Sequence, residues 1–472
     1  MSIRTRFAPS PTGFIHVGNL RSAVYTYLIA KKDEGNFILR IEDTDQERYV
    51  EGAVDAIYDT LTKCGLIWDE GPDKGGDFGP YIQSERMGSY EKYALELVEK
   101  KEAYKCFCSQ ERLESLREKG YAKYDGHCLH LTEAQVKENE EKGLPYVIRQ
   151  KVPNQGATSF TCQVYGEITI ENKEIEDQVL LKSDNFPTYN FANVIDDHLM
   201  NITHVVRGNE YLTSTPKYTL LYKAFGWDEP TYVHLPLVVK EGGKKLSKRE
   251  GDAYYSDFVK KGYLPEAIVN FLALQGWSPE DNQEIFTLKE LEENFKIERI
   301  NNSPAAFDLK KLNWLNSQYI KKLDVEELKE LCMSHLVSEG IIEGKDDAWV
   351  DSLLIVFKDR LDYGAQIIDL FDEFFDQEFI LGEEEKEFLD QEGVNETLTV
   401  FRDLLSELDT FDAESIKPLI KQTGKQAGSK GKMLFMPLRI ATTASMHGPD
   451  LPQILSLLGK EKVISRLNLN IK

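Results

Sequence analysis

Ile3, Phe7 and Ala8 give residues 3–8 a short apolar strand pattern, and a Pro/Gly loop follows at 9–18. Leu20, Val24, Tyr27 and Leu28 then recur at helical spacing, Gly35 supplies a stop, and FILRI at 37–41 reads as the next buried strand. Strand, helix, strand makes a parallel βαβ unit. Helical periods at 51–64 and 86–101 continue the alternation of a doubly wound sheet.

From 104 to 187 that order gives way to clustered cysteines, a helix at 132–142 and strand patterns at 146–151 and 159–170, which reads as an insertion. Strands at 202–207 and 232–239 around a helix at 214–225 restore the alternation. Beyond residue 310 the period is helical with few β-branched runs, so the last third is expected to be all-α.

A length of 472 residues suggests about three domains, and 41% hydrophobic with 29% charged residues is the balance of a folded soluble chain. No run reaches the ~18 to 20 apolar residues that span a membrane, and the start has no secretory core, so no membrane partner and a cytoplasmic location are expected. The net charge of −23 argues at first against a nucleic-acid partner. Its distribution changes that picture: residues 369–396 carry twelve acids against Lys386 alone, whereas 417–449 contain Lys417, Lys421, Lys425, Lys430, Lys432 and Arg439 and no acid.

Six cysteines are too few for a disulfide scaffold in a chain of this length. Cys106-x-Cys108 and Cys128-x-His130 together offer three soft ligands and an imidazole, a tetrahedral zinc set closed by protein and therefore structural, with His127 a competitor for His130.

Two further stretches carry chemistry. In PSPTGFIHVGN at 9–19 a loop leaves a parallel strand and enters a helix, so free N–H groups and the helix dipole face an anion, Gly18 lets a nucleotide approach the backbone, and His16 can donate to phosphate. In KKLSKR at 244–249, Lys245 and Lys248 flank Ser247, where lysines can neutralise charge on a leaving pyrophosphate. Each alone is unspecific. Together, in this order, they resemble the HIGH and KMSKS signatures of class I aminoacyl-tRNA synthetases, and RFAPSPTGFIHVGNLRSA, LRIEDTDQERY, NFPTYNFANVIDDHLMNITHVVRGNEYLTSTPK and KGKMLFMPLRIATTASMHGPDL resemble the bacterial type of the glutamyl-tRNA synthetase family over nearly the whole chain. Asn19 replaces the second histidine of HIGH, leaving His16 as the motif's one imidazole.

The resemblance implies a class I Rossmann catalytic domain in two halves (1–103 and 188–240) around an inserted α+β acceptor-binding domain (104–187). A KLSKR loop and stem-contact region (241–315) and all-α anticodon-binding domains (316–472) follow. It implies ATP with Mg2+, a structural Zn2+, L-glutamate and tRNA(Glu) as ligands, with His16 and Lys248 catalytic. Arg6, Ser10, Glu42, Tyr189, Asn193 and Arg207 would bind glutamate: Arg6 and Arg207 end strands where open sheets bind ligands, arginine forks suit a carboxylate, and Glu42 can accept from the α-ammonium. ATP would meet His16, Gly18, Asn19, Glu210, Val238, Lys245, Ser247 and Lys248, and the six cations of 417–449 would meet tRNA phosphates. The stretch FKDRLDYGAQIIDLFDEFF, with Arg360 as its anticodon-reading candidate, looks like the relaxed-specificity members that also charge tRNA(Gln). A monomer is expected. Within this chemistry the rival is a glutaminyl-tRNA synthetase, whose anticodon region is β-barrel rather than helical; outside it, a small-molecule nucleotidyltransferase leaves the insertion and basic tail without a use.

Overall fold

The computed structural model describes residues 2–44, 48–120, 123–239, 254–375 and 379–472. They fall into two compact units, Met1–Phe258 with Pro265–Leu309 and Val259–Leu264 with Lys310–Lys472.

In the first unit, β1 (Arg4–Phe7) leads through helix α1 (Val17–Lys32) to β2 (Asn36–Leu39), which lies parallel beside it. After β3 (Ala103–Cys106), β4 (Val147–Gln150), β5 (Ala157–Cys162), β6 (Gly166–Glu171) and β7 (Val179–Leu181), the chain returns as β8 (His204–Gly208) and β9 (Thr231–Leu235). The main sheet has the order β2-β1-β8-β9-β5-β6, parallel except for the β5/β6 hairpin. A separate antiparallel sheet is ordered β3-β4-β7. Both faces of the parallel strands are covered, so β2 and β8 read as almost unbroken apolar runs, and α1 is buried along most of its length.

Two strand patterns divide in the structure. The stretch 159–170 is a hairpin, because Gly166 turns the chain at φ 74°, a value suited to a residue without Cβ. The stretch 232–239 ends as β9 at Leu235, where Pro236 cannot donate to the ladder.

The second unit is all-helical among its described residues, from Leu309–Ile320 to Lys460–Asn470. Its core gathers Leu328, Leu354, Phe401, Leu438 and Leu467, all fully buried. Leu455 and Leu458, on the helix Leu451–Leu458, and Val463, on the helix Lys460–Asn470, belong to that core. Local signals fix the helix starts: Asp324 and Glu327 form a reciprocal capping box ahead of Val325–Ser338.

Candidate active site

The chain leaves β1 toward β2 on one side and returns to β8 on the other, so the crevice at the C-terminal ends of these strands is the switch point of the sheet. Arg6 stands near the end of β1, Arg207 near the end of β8, and Arg40 and Glu42 follow β2. A cavity of about 280 Å³ lies there, lined by Arg6, Ser10, Asn19, Glu42, Tyr189, Arg207 and Glu210 among others. A larger one of about 800 Å³ shares Ser10, Glu42 and Tyr189 and adds Arg48, Lys182 and Asp184.

Charge is buried at the base of the smaller cavity. Arg40 donates to Glu42 Oε1 at 2.9 Å and pairs with Asp197 Oδ1 at 2.8 Å, and Arg6 Nε reaches the same Asp197 oxygen at 2.8 Å. Burial opposes ionisation of Asp197, yet the Arg6 and Arg40 guanidiniums hold its carboxyl below the usual range. At Glu42 burial wins and pushes the carboxyl up, against the pull of Arg40 and Arg6. Among the described residues lining this cavity, two have buried polar atoms without a partner: Glu42 at Oε2, and Arg207 at Nε and Nη1. The Arg207 guanidinium instead lies 4.9 Å over the ring of Tyr211 and 5.0 Å over that of Tyr218.

His16 is the N-cap of α1, its extended backbone (φ −71°, ψ 142°) leaving the helix as the histidine ring folds back. Nδ1 accepts from Gly18 N at 3.0 Å, so a neutral ring carries its proton on Nε2. The ring also meets Tyr254 edge-on at 6.2 Å. Gly18 has a reason to be glycine, since a Cβ there would lie 3.2 Å from His16 Nδ1.

The cavity thus brings together seven of the residues expected to bind glutamate or ATP: Arg6, Ser10, Glu42, Tyr189 and Arg207, with Glu210, and Asn19 from α1. Asn193 is buried behind this wall, donating from Nδ2 to the Tyr189 carbonyl at 3.0 Å. Val238 is half-buried on Val238–Val239, and Lys245, Ser247 and Lys248 lie outside the described residues. Sequence reading missed Arg40, Asp197 and the neighbouring Asp196, which accepts from Arg86 at 2.7 Å, Gln83 at 2.9 Å and Tyr90 at 2.8 Å. The signal was present: an arginine inside the apolar run FILRI, and two adjacent aspartates in the helix Tyr189–Leu199.

Comparison with known proteins bears on this geometry. A family described as tRNA synthetases class I (E and Q), catalytic domain, matches residues 2–314, and an anticodon binding domain matches 325–471. The chain belongs to the class I tRNA synthetases of the E and Q group. A glutamate–tRNA ligase of Clostridium novyi is 50% identical, the match covering 100% of this chain and 98% of that protein. One of Lachnoclostridium phytofermentans is 49% identical over 99% of this chain and 98% of its own length. The crystal structure of a glutamate–tRNA synthetase from Elizabethkingia anophelis superposes with a TM-score of 0.90 at 35% identity and full coverage of both chains. The Rossmann-type parallel sheet and the all-helical second unit are those of this family.

Away from the crevice, the synthetase gathers Cys106, at the end of β3, with Cys108 and Cys128, their sulfurs within 4.8 Å of one another. His130 shares the short helical turn His127–His130 with Cys128 but is not in that group. Tyr124 Oη instead lies 3.4 Å from the sulfurs of both Cys106 and Cys108. Hydrogen bonding to Cys128 draws the Cys106 thiol down, against burial and with help from Tyr124, while Cys128 is pushed up by Cys106 and by burial. Three convergent sulfurs are a donor set that suits a soft cation.

In the synthetase's helical unit, Lys417, Lys421 and Lys425 repeat at four-residue spacing along the helix Ala413–Gln426 and are exposed, as are Lys430 and Lys432. Arg439 differs: it is half-buried and donates from Nη2 to the Pro449 carbonyl at 2.8 Å. Arg360 pairs with Glu373 at 3.2 Å and lies 5.1 Å over the Phe374 ring. Among the described residues, no helix is long and apolar enough to cross a membrane.

Proposed function

We infer that this chain is a glutamate–tRNA ligase, activating L-glutamate with ATP and passing it to the 3′ end of tRNA(Glu). The switch-point cavity supports this by its unmet needs. It presents buried guanidinium donors on Arg207 and a buried acceptor on Glu42, within a volume of about 280 Å³ suited to a small zwitterion carrying an extra carboxylate. Glutamine would leave a buried arginine facing an amide, at a cost of ~1.5–3 kcal/mol for a charged hydrogen bond lost. The full-length likeness to glutamate–tRNA ligases supports the same substrate.

On this reading Arg6 and Arg207 take the side-chain carboxylate, with Ser10, Tyr189 and Asn193 shaping the pocket, and Glu42 takes the α-ammonium. The α-carboxylate attacks the α-phosphorus of ATP in line, forming glutamyl-adenylate and releasing pyrophosphate with its Mg2+. A terminal ribose hydroxyl of tRNA then displaces AMP. No protein nucleophile is needed, and the residues act by positioning and by stabilising charge. His16, holding its proton on Nε2, donates toward the phosphates beside Gly18 and Asn19. Glu210 and Val238 serve the nucleoside, and Lys245, Ser247 and Lys248 the leaving pyrophosphate. Cys106, Cys108 and Cys128, with His130 as fourth ligand, hold a structural zinc. The exposed lysines of 417–432 contact tRNA backbone, and the enzyme works in the cytoplasm.

Pyrophosphate exchange tests the reading. With ATP and purified tRNA(Glu), exchange is expected to need L-glutamate and to stop when tRNA is withheld. Exchange driven by another amino acid, or none with glutamate and tRNA present, overturns it.

A further inference from the structure

The pocket's two charged walls are tied to one buried atom. Asp197 Oδ1 accepts from Arg6 Nε at 2.8 Å and lies 2.8 Å from Arg40 Nη1; Arg40 Nη2, in turn, holds Glu42 Oε1 at 2.9 Å. One carboxylate oxygen thus restrains the guanidinium that faces the cavity from β1 and, through Arg40, the carboxylate that faces it after β2. Asp197 itself, only 2% exposed, does not line the cavity.

We propose that Asp197 is a positioning residue for amino-acid recognition, setting the Arg6 and Glu42 walls at the spacing of the substrate's carboxylate and ammonium. This rests on the glutamate reading above and deepens it. Without the Asp197 charge, Arg6 Nε and Arg40 Nη1 share at best a neutral amide oxygen in a buried place, where a charged hydrogen bond is the stronger one, and each guanidinium turns toward the anions that remain. Arg40 is left with Glu42 as its one ion-pair partner among the described residues, and Arg6 keeps only a long bond from Nη1 to the Val206 carbonyl at 3.5 Å, too little to fix its place at the pocket wall. Both ends of the substrate then meet displaced partners, while the His16 and Gly18 side, which hangs on α1, is untouched.

The adjacent aspartate supplies a matched contrast. Asp196 is just as buried and also pairs with an arginine, but its partners Arg86, Gln83 and Tyr90 do not line the cavity. Its charge holds Gln83, Arg86 and Tyr90 to the helix Tyr189–Leu199; it reaches Arg40 only through space and hydrogen-bonds to no residue that lines the cavity.

Steady-state pyrophosphate exchange on Asp197→Asn and Asp196→Asn, with thermal melts of both, separates the roles. Asp197→Asn is expected to raise KM for glutamate at least tenfold with KM for ATP within twofold of the parent. Asp196→Asn is expected to lower the melting temperature and leave KM for glutamate within twofold. Should Asp197→Asn not fold, Asp197→Glu decides: it keeps the charge but moves it by one methylene, and a rise of at least threefold in KM for glutamate is expected. The proposal is overturned if the Asp197 variants leave KM for glutamate within twofold, if KM for ATP rises in step, or if Asp196→Asn raises KM for glutamate equally. A parent enzyme that shows no glutamate-dependent exchange rejects the functional reading itself, a result visible before any variant is made.

Discussion

His234 lies on β9 with its ring fully buried, Nε2 sharing a hydrogen bond with Thr215 Oγ1 at 3.0 Å and Nδ1 facing Cys162 Sγ at 3.4 Å. Burial, with Arg207 adding to it, pulls its pKa down to about 3. The unfolded chain binds a proton near pH 6.5 that the folded chain refuses, so stability falls as pH drops from about 6.5 toward 3 and is unaffected above. At pH 5 the loss from this one group is about 2 kcal/mol. His234→Gln should therefore flatten the acid side: urea unfolding at pH 7.5 and 5.0 is expected to show a smaller drop for the variant by roughly 1–2 kcal/mol. Equal drops would remove His234 as the sensor. Such a residue is nearly invisible in sequence, since TYVHLPL shows a histidine in an apolar run and not the arginine across β8. The same holds for Arg40 and Asp197. Arg6, Glu42 and Arg207 were legible because they end strands at motif positions, whereas a buried ion pair is a fact about two distant segments that only packing reveals.

At the scale of elements, the hydrophobic pattern located β1, α1, β2, β8 and β9 well, because parallel strands buried on both faces leave apolar runs such as FIL in β2 and VV in β8, while β1, RTRF, stood out by the Pro/Gly loop after it. It failed at 159–170, where an edge hairpin alternates on both sides of Gly166 and its turn carries no proline or Asn-Gly signal. The cysteine cluster sits where elements meet, on the end of β3 and the turn His127–His130. A bound zinc would hold them, so metal analysis is expected to give about one equivalent per chain, with Cys106→Ser losing it and melting at lower temperature. Fully stable, metal-free parent protein would reject the site. His130→Ala reports on the fourth ligand: undiminished zinc content would pass that place to another donor.

Over the whole molecule, a net charge of −23 and a tRNA partner are compatible because electrostatic attraction is local: exposed charges more than a Debye length apart, ~8 Å at physiological salt, are largely screened from one another. Lys417, Lys421 and Lys425 are exposed on one helix and, among the described residues, none of the three has an ion-pair partner, so their charge is available. Each phosphate contact contributes ~0.7–0.9 to the slope of log K against log salt. Replacing the three lysines with alanine leaves the helix core of Ile416 and Ile420 intact and favours helix, so folding should be kept. Binding of tRNA(Glu), measured between 50 and 200 mM salt on the order used for such titrations, is expected to weaken with its salt slope reduced by roughly 2. KM for glutamate at saturating tRNA should stay unchanged, since these lysines belong to the helical unit and the residues lining the cavity belong to the other. A slope equal to the parent's would show that tRNA meets another face, and a loss in glutamate KM without a change in slope would make the lysines part of coupling rather than of binding.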